Sequence, residues 1–229
     1  MTRIKYSVVI PVYNEEESVG ELERSVRETM SSLKEPYEIV FVNDGSTDGT
    51  LSRLKEIKKE NPYINIVTLE KNSGQTVSLK VGFQIAMGET IISMDGDLQN
   101  DPRDIPLLIE KINEGFDAVC GWRRQRRDSL WKKTASRLAN IIQGAVFKSN
   151  LHDISCTLRA YRRDALRGLD LDWNGAHRFL PYLILRNNKN VTEVEVNHHP
   201  RKYGASKYKP TKIFKTSKDF LKVLFSRKI

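Results

Sequence analysis

Apolar residues along this chain follow two rhythms. Unbroken runs rich in Val, Ile and Phe at 5–12, 38–42, 64–69, 90–94 and 118–120 read as short strands buried on both faces. Between them, Val19, Leu22, Val26, Met30 and Leu33 recur at three- or four-residue intervals across 16–33, and weaker versions occupy 50–59, 75–87 and 104–114. Those intervals predict helices with one buried face. Strand and helix alternate as far as residue 120, which predicts an α/β fold: a mostly parallel central sheet with helices on both faces. Such sheets bind ligands beyond the carboxyl ends of their strands. After 120 the pattern predicts helices near 131–147 and 176–187, a strand at CTLRAY (156–161), another at 191–197, and a final amphipathic segment. No apolar run approaches the roughly 18–20 residues needed to cross a bilayer. In MTRIKYSVVIPVYNEE the first apolar run is broken by Pro11 and followed by three acids, so no secretory leader is expected and the cytoplasm is the expected compartment.

At 229 residues, 39% apolar and 29% charged, the chain suits one domain with a sizeable core, neither disordered nor fibrous. Cys120 and Cys156 are too few for a disulfide scaffold and lack the paired spacing of a zinc site. Charge divides the chain. Of 38 basic and 29 acidic residues, 13 and 21 lie in residues 1–119, leaving 25 and 8 in the remainder. An acidic half suits a metal that carries phosphates, and a basic half suits an anion held without metal.

Three motifs follow strands and so fall on one rim of the expected sheet. In PVYNEE (11–16) and NDGSTDGT (43–50), Glu15 and Asp44 are acceptors able to read base N–H and ribose hydroxyl groups, although Asp44-Gly45 followed by Ser46, Thr47 or Asp48 also suits a turn and a helix cap. In DGDLQNDP (95–102), Asp95 and Asp97 would point the same way from an extended segment. Close carboxylates repel unless a cation lies between them, and Gln99 could add an oxygen for Mg²⁺ or Mn²⁺. Asp101 reads as the cap of the following helix. No G-x-x-x-x-G-K-[ST] loop, G-x-G-x-x-G turn, G-x-S-x-G elbow or H-E-x-x-H helix is present.

Taken in order, these motifs resemble the family-2 inverting glycosyltransferases of the GT-A nucleotide-diphospho-sugar fold. KNSGQTVSLKVGFQIAMGE (71–89), GWRRQRRD (121–128), DISCTLRAYRRD (153–164), HRFLP (177–181) and HHPRKYGASKY (198–208) extend the likeness to the subgroup acting on polyprenyl phosphates, akin to dolichol-phosphate mannose synthase. The resemblance implies a catalytic domain over 1–208. It implies a nucleoside enclosed by Pro11, Tyr13, Glu15, Val42 and Asp44, and a metal and diphosphate held by Asp95, Gly96, Asp97 and Gln99. Arg123, Arg201 and Lys207 would face the anions. Arg201, Gly204, Ser206 and Lys207 match a loop that closes over the donor. The Q-x-x-R-W block of processive synthases is absent, and membrane-bound members continue past the SKY block.

The reaction so implied is in-line attack by a lipid phosphate on the anomeric carbon of a UDP- or GDP-linked hexose. A phosphate monoester is mostly dianionic at neutral pH, so cations matter more than a general base. Arg123, Arg124, Arg126, Arg127, Lys132, Lys133 and Arg137 are candidates to cradle it, with Arg123 first and Ser136 and Arg137 behind it. Asp153 is readable either as a group acting on sugar or acceptor or as the partner of an arginine. Cys156 reads as buried, and the four histidines lack zinc spacing. Residues 209–229 predict a basic amphipathic helix that either lies on the cytoplasmic face of a membrane or packs on protein. An alcohol acceptor, which would need a true base such as Asp153, is the nearest competing reading. Nucleic acid is not an expected partner, because aromatic residues are not interleaved with the arginines.

Overall fold

A computed structural model describes residues 3–124 and 149–203. The elements are β1 (Tyr6–Val12), α1 (Val19–Ser32), β2 (Tyr37–Asn43), α2 (Thr50–Glu60), β3 (Ile64–Thr68), α3 (Gln75–Ile85), β4 (Thr90–Ser93), α4 (Ile105–Asn113), β5 (Ala118–Trp122), β6 (Arg159–Arg162), α5 (Leu180–Arg186) and β7 (Val191–Glu195). Helical turns Pro102–Asp104, Arg163–Leu166 and Ala176–Phe179 complete the described set. The strands form one sheet in the order β3-β2-β1-β4-β6-β5-β7, in which only β6 among the described strands runs against the others. The α/β architecture expected from the alternation is therefore present. The chain winds outward from β1 through β2 to β3, then returns to the other side of β1 with β4. That reversal opens a crevice beyond the ends of β1 and β4, the place where open α/β sheets bind ligands.

Alternation along the central strands sorts side chains to two faces. Val8 and Ile10 of β1 join Phe41 of β2 in packing against Leu22, Val26 and Met30 of α1, all wholly buried. Val9 points the other way, with Val40 and Val42, onto Leu79 of α3. Each such fully buried aliphatic side chain stabilises the fold by about 1.5–3 kcal/mol. The α3 contact is tight at Gly82, where a Cβ would stand 2.3 Å from Val9 Cγ1. A third cluster, including Tyr161, Phe179, Leu180 and Tyr182, packs α5 over β5 and β6. Within the sheet, buried Glu38 accepts from Ser7 Oγ at 2.6 Å, the Met87 amide at 2.6 Å and Asn65 Nδ2 at 2.7 Å, tying three strands to the turn before β4.

Several boundaries differ from the periodic reading. α1 starts at Val19, because Ser18 is buried with its hydroxyl turned back to the Glu15 carbonyl and carboxylate. β4 stops at Ser93, so Asp95 lies beyond the sheet. The CTLRAY strand begins only at Arg159, and the helix expected over 176–187 divides at Leu180. No helix among the described residues is long and apolar enough to cross a membrane. The expected helices near 131–147 and over 209–229 lie outside the described residues.

Candidate active site

The rim beyond β1, β2 and β4 is held by hydrogen bonds between loops far apart in sequence. Asn14, in the left-handed backbone region at φ 52°, donates its amide to Ser46 Oγ at 3.0 Å and accepts from the Thr47 amide at 2.8 Å. The Glu15 amide donates to Thr50 Oγ1 at 2.8 Å and the Gly49 amide to Glu16 Oε2 at 2.9 Å, so PVYNEE and NDGSTDGT form one wall. Asp48 caps α2 by accepting from the Thr50 amide at 3.0 Å. Asp44 has a different duty. Only 5% exposed, it receives the Ser73 amide on Oδ1 at 2.7 Å and the Gly74 amide on Oδ2 at 2.9 Å, which fastens the loop before α3 to β2. Gly45 fits beside it because a Cβ at φ +65° would strike the Lys71 backbone at 2.5 Å.

Asp95 and Asp97 close the crevice, but by a turn and not by strand alternation. Leu98 adopts φ 61° and residues 96–98 bend, so the shared extended face expected from the spacing is absent. Asp95 Oδ1 accepts from Gln75 Nε2 at 2.6 Å. Burial, and secondarily the negative charge of Asp97, push the Asp95 carboxyl up to about 6. Asp97, 8% exposed, accepts from the Gln99 amide on Oδ1 at 3.1 Å and from Arg201 Nη2 on Oδ2 at 2.5 Å. The same guanidinium reaches Glu15 Oε1 at 3.8 Å. Gly96 between them has its carbonyl bonded by Ser18 Oγ at 3.0 Å, and a Cβ there would meet Val12 Cγ1 at 2.9 Å. The Gln99 amide nitrogen reaches the His199 carbonyl at 3.4 Å.

Two nearly buried carboxylates side by side, with an arginine drawn onto one of them, make a donor set short of positive charge. Among the described residues, no group of three or more His, Cys, Asp or Glu side chains is placed to hold a metal. Two carboxylates fit a magnesium-type ion that takes its remaining oxygens from substrate phosphates, and they do not fit an ion caged entirely by protein.

Arg123 and Asp153 meet on the far side of Asp95. Arg123 Nε donates to Asp153 Oδ2 at 2.7 Å and Nη2 to Oδ1 at 3.0 Å, with both side chains about nine-tenths buried. Nη2 also donates to Ser155 Oγ at 2.7 Å. Burial opposes the charge of Arg123, and its bonds to Asp153 outweigh that, raising its pKa. Of the two readings of Asp153, the arginine partnership is the one its geometry displays. Arg123 is accordingly engaged with protein and does not present a free fork to the rim.

Pro11, Tyr13, Glu15 and Asp44 gather at the crevice with Asp95, Gly96, Asp97, Gln99 and Arg201. Val42 does not. Its side chain has no exposed surface and packs beneath α3, while its backbone pairs with Pro11. Arg126, Arg127, Lys132, Lys133, Ser136, Arg137, Gly204, Ser206 and Lys207 lie outside the described residues. Residue spacing did not single out Gln75, Ser18, Asn14 or the amides of Ser73 and Gly74. Asn14 carried a signal only as part of PVYNEE, and the SGQ segment ahead of α3 only as part of a longer matching block.

The family model for glycosyl transferase family 2 matches residues 7–169. The chain is 37% identical over 227 residues to dodecaprenyl-phosphate galacturonate synthase of Rhizobium johnstonii, covering 97% of this chain and 67% of that protein. It is 40% identical over 222 residues to undecaprenyl-phosphate 4-deoxy-4-formamido-L-arabinose transferase of Yersinia enterocolitica, covering 96% and 67%. Among solved structures, glucosyl-3-phosphoglycerate synthase of Mycobacterium tuberculosis with Mn²⁺, UDP and glucosyl-3-phosphoglycerate superposes with a TM-score of 0.73 at 17% identity, over 96% of this chain and 78% of that one. A Pyrobaculum calidifontis mannosyltransferase with GDP-mannose and Mn²⁺ gives 0.63 at 19% identity, over 84% and 55%. At those identities the structural likeness establishes the GT-A-like fold and no more. Strand order, rim and matched sequence agree that the chain belongs to glycosyl transferase family 2 and is a glycosyltransferase.

Proposed function

We propose that the protein transfers a sugar from a nucleoside diphosphate to a polyprenyl phosphate, with Mg²⁺ or Mn²⁺ at Asp95 and Asp97. The observation that carries this reading is the rim itself: two carboxylates packed together beside an arginine bonded to one of them, on a chain whose curated relatives are named for polyprenyl-phosphate products. The relatives' names differ in the sugar and do not choose one for this chain.

Pro11, Tyr13, Glu15 and Asp44 are the residues available to enclose the nucleoside. Asp44 does so indirectly, because both of its oxygens already hold the loop at Ser73 and Gly74. Asp95, Asp97 and Gln99 would hold the ion, which when bound stabilises negative charge on the departing diphosphate. Arg201 is positioned to leave Asp97 for a phosphate oxygen, trading one charge-assisted bond for another. On the acceptor side the nucleophile is a phosphate oxygen already deprotonated at neutral pH, so no side chain has to remove a proton. That suits the engagement of Asp153 with Arg123, which leaves it a poor base for an alcohol. Arg124, exposed at the end of the same loop, leads into the basic segment that would meet the acceptor phosphate. Peripheral attachment to the cytoplasmic face through 209–229, or a separate membrane subunit, belongs to the same proposal.

The test is incubation of the full chain with UDP- or GDP-sugars, Mn²⁺ and undecaprenyl phosphate, with extraction of labelled product into the organic phase. We expect product there, lost on adding excess EDTA. Asp97→Ala should abolish the Mn²⁺-dependent part of the thermal stabilisation by the donor. Transfer to water-soluble acceptors alone, or turnover undiminished by EDTA, would overturn the reading.

A further inference from the structure

Gln75 opens α3, but its side chain turns away from the helix and donates from Nε2 to Asp95 Oδ1 at 2.6 Å. The residues on either side of it are seated by other parts of the fold. Before it, the Ser73 and Gly74 amides are bonded to Asp44 at 2.7 and 2.9 Å. After it, Thr76, 2% exposed, accepts from the Gly175 amide on Oγ1 at 2.9 Å and meets His177 Nδ1 at 2.7 Å. Gln75 therefore reaches Asp95 from a base that cannot shift without breaking bonds to two separate loops. Asp95 itself is held from the opposite side through its backbone. Its amide donates to Asn100 Oδ1 at 3.2 Å, and the Thr157 hydroxyl, which also lies beside the Asp95 carboxylate, donates to that same oxygen at 3.1 Å. The buried Asn100 side chain is in turn fixed by the backbone bridge from Asn100 to His198.

An aspartate carboxylate turns easily about its last torsion, whose energy wells are broad, whereas a magnesium-type ion tolerates little error in where its oxygens lie. A bond to Oδ1 from a firmly seated donor removes that freedom. The charge of the donor matters as much as its position. Asp97 accepts from the Arg201 guanidinium, a cation that an incoming ion would have to displace. Asp95 has no cationic nitrogen within 4.0 Å among the described residues, and a glutamine amide orients a carboxylate without neutralising it. The two aspartates are thus held in different ways, one by an exchangeable cation and the other by a neutral amide. We infer that Gln75 is a positioning residue that presets Asp95 as the fixed ligand of a divalent cation, leaving Asp97 as the ligand freed when the ion loads. The inference rests on the reading of Asp95 and Asp97 above and deepens it.

The experiment is titration of the full chain with Mn²⁺, the free ion read by electron paramagnetic resonance, without nucleotide and again with UDP or GDP. We expect Gln75→Met, which keeps the length and flexibility of the side chain but loses the donor, to weaken Mn²⁺ binding by about 10–100-fold, the usual effect of removing the hydrogen-bond partner of a metal ligand. The Mn²⁺ concentration for half-maximal transfer should rise in step, with kcat recovered at saturating Mn²⁺. Thr76→Val is the control, because it loosens the same turn of α3 from Gly175 and His177 without touching Asp95, and it should leave Mn²⁺ affinity close to that of wild type. If Gln75→Met fails to fold, Gln75→Asn, a methylene too short for the bond, gives the same reading. Unchanged Mn²⁺ affinity in the Gln75 variant, or an equal loss in Thr76→Val, overturns the inference, while loss of Mn²⁺ binding in Asp97→Ala would leave the metal reading standing. Failure of the wild-type chain to bind Mn²⁺ even with UDP or GDP overturns that reading as well.

Discussion

Arg123 and Asp153 show why a single substitution at this site needs a stability measurement beside the activity. Removing one partner of a buried ion pair strands the other charge, at a cost of about 3–5 kcal/mol. Asp153→Ala is therefore expected to lower the urea midpoint strongly, and Arg123→Met combined with Asp153→Leu should recover much of that loss. If Asp153→Ala abolishes transfer at unchanged stability, Asp153 acts on the substrates directly. The cysteines permit a simpler check. With thiol pKa values raised by burial, thiolate forms only well above neutrality, so neither Cys120 nor Cys156 should react with Ellman's reagent at about pH 8 until denaturant is added. Rapid labelling of the folded protein would show that the region around Arg159 is open.

Individual elements rest on a few enforced contacts. Gly82 in α3 is the clearest, because two effects of Gly82→Ala oppose one another. Alanine favours the helix by about 1 kcal/mol, but its methyl would stand 2.3 Å from Val9 Cγ1, and overpacking of that kind costs about 1–3 kcal/mol. We expect net destabilisation with an unchanged denaturant slope, partly reversed by Val9→Ala. The turn before α4 carries a pH dependence. Burial raises the pKa of Asp101, and the bonds from Arg103 and His199 outweigh it, bringing the folded value to about 2 against 3.8 for an unperturbed group. The folded value is the lower one, so the stabilisation is complete above the unfolded pKa and disappears as the pH falls through the folded one. The stability gap between wild type and Asp101→Asn should be widest near about pH 6 and shrink towards about pH 2. The strands and α1 to α4 were legible in the sequence because each carries its own periodic signal. The reversed direction of β6 was not, since a four-residue strand reads alike in either direction. The break at Leu180 has a local cause, Pro181 in the first turn of α5, and tertiary bonds at the turn before it, Thr76 meeting His177 Nδ1 at 2.7 Å and the Gly175 amide at 2.9 Å, which local spacing cannot express.

Across the whole molecule, the acidic rim and the segment after β7 hold one another. His198 bridges to Asn100, His199 Nε2 meets Asp101 Oδ2 at 3.1 Å, Lys202 reaches Glu21 at 2.6 Å, and Arg201 spans Asp97 and Glu15. The motifs named Asp97 and Arg201 separately, as metal ligand and as anion-facing residue, but not that this arginine about a hundred positions away would pair with that aspartate. Charge balance gives the reason: Asp97 needs a cation, and without an ion the guanidinium provides it. On the proposed function, Arg201 and a divalent ion would compete for one carboxylate until a diphosphate arrives that both can bind. Arg201→Met should consequently tighten Mn²⁺ binding to the nucleotide-free protein, read by Mn²⁺ electron paramagnetic resonance, while weakening the affinity for UDP or GDP in the presence of Mn²⁺. The opposite signs separate competition from general damage to the loop, which would weaken both. If Mn²⁺ affinity without nucleotide is unchanged in Arg201→Met, Asp97 is not the carboxylate they share.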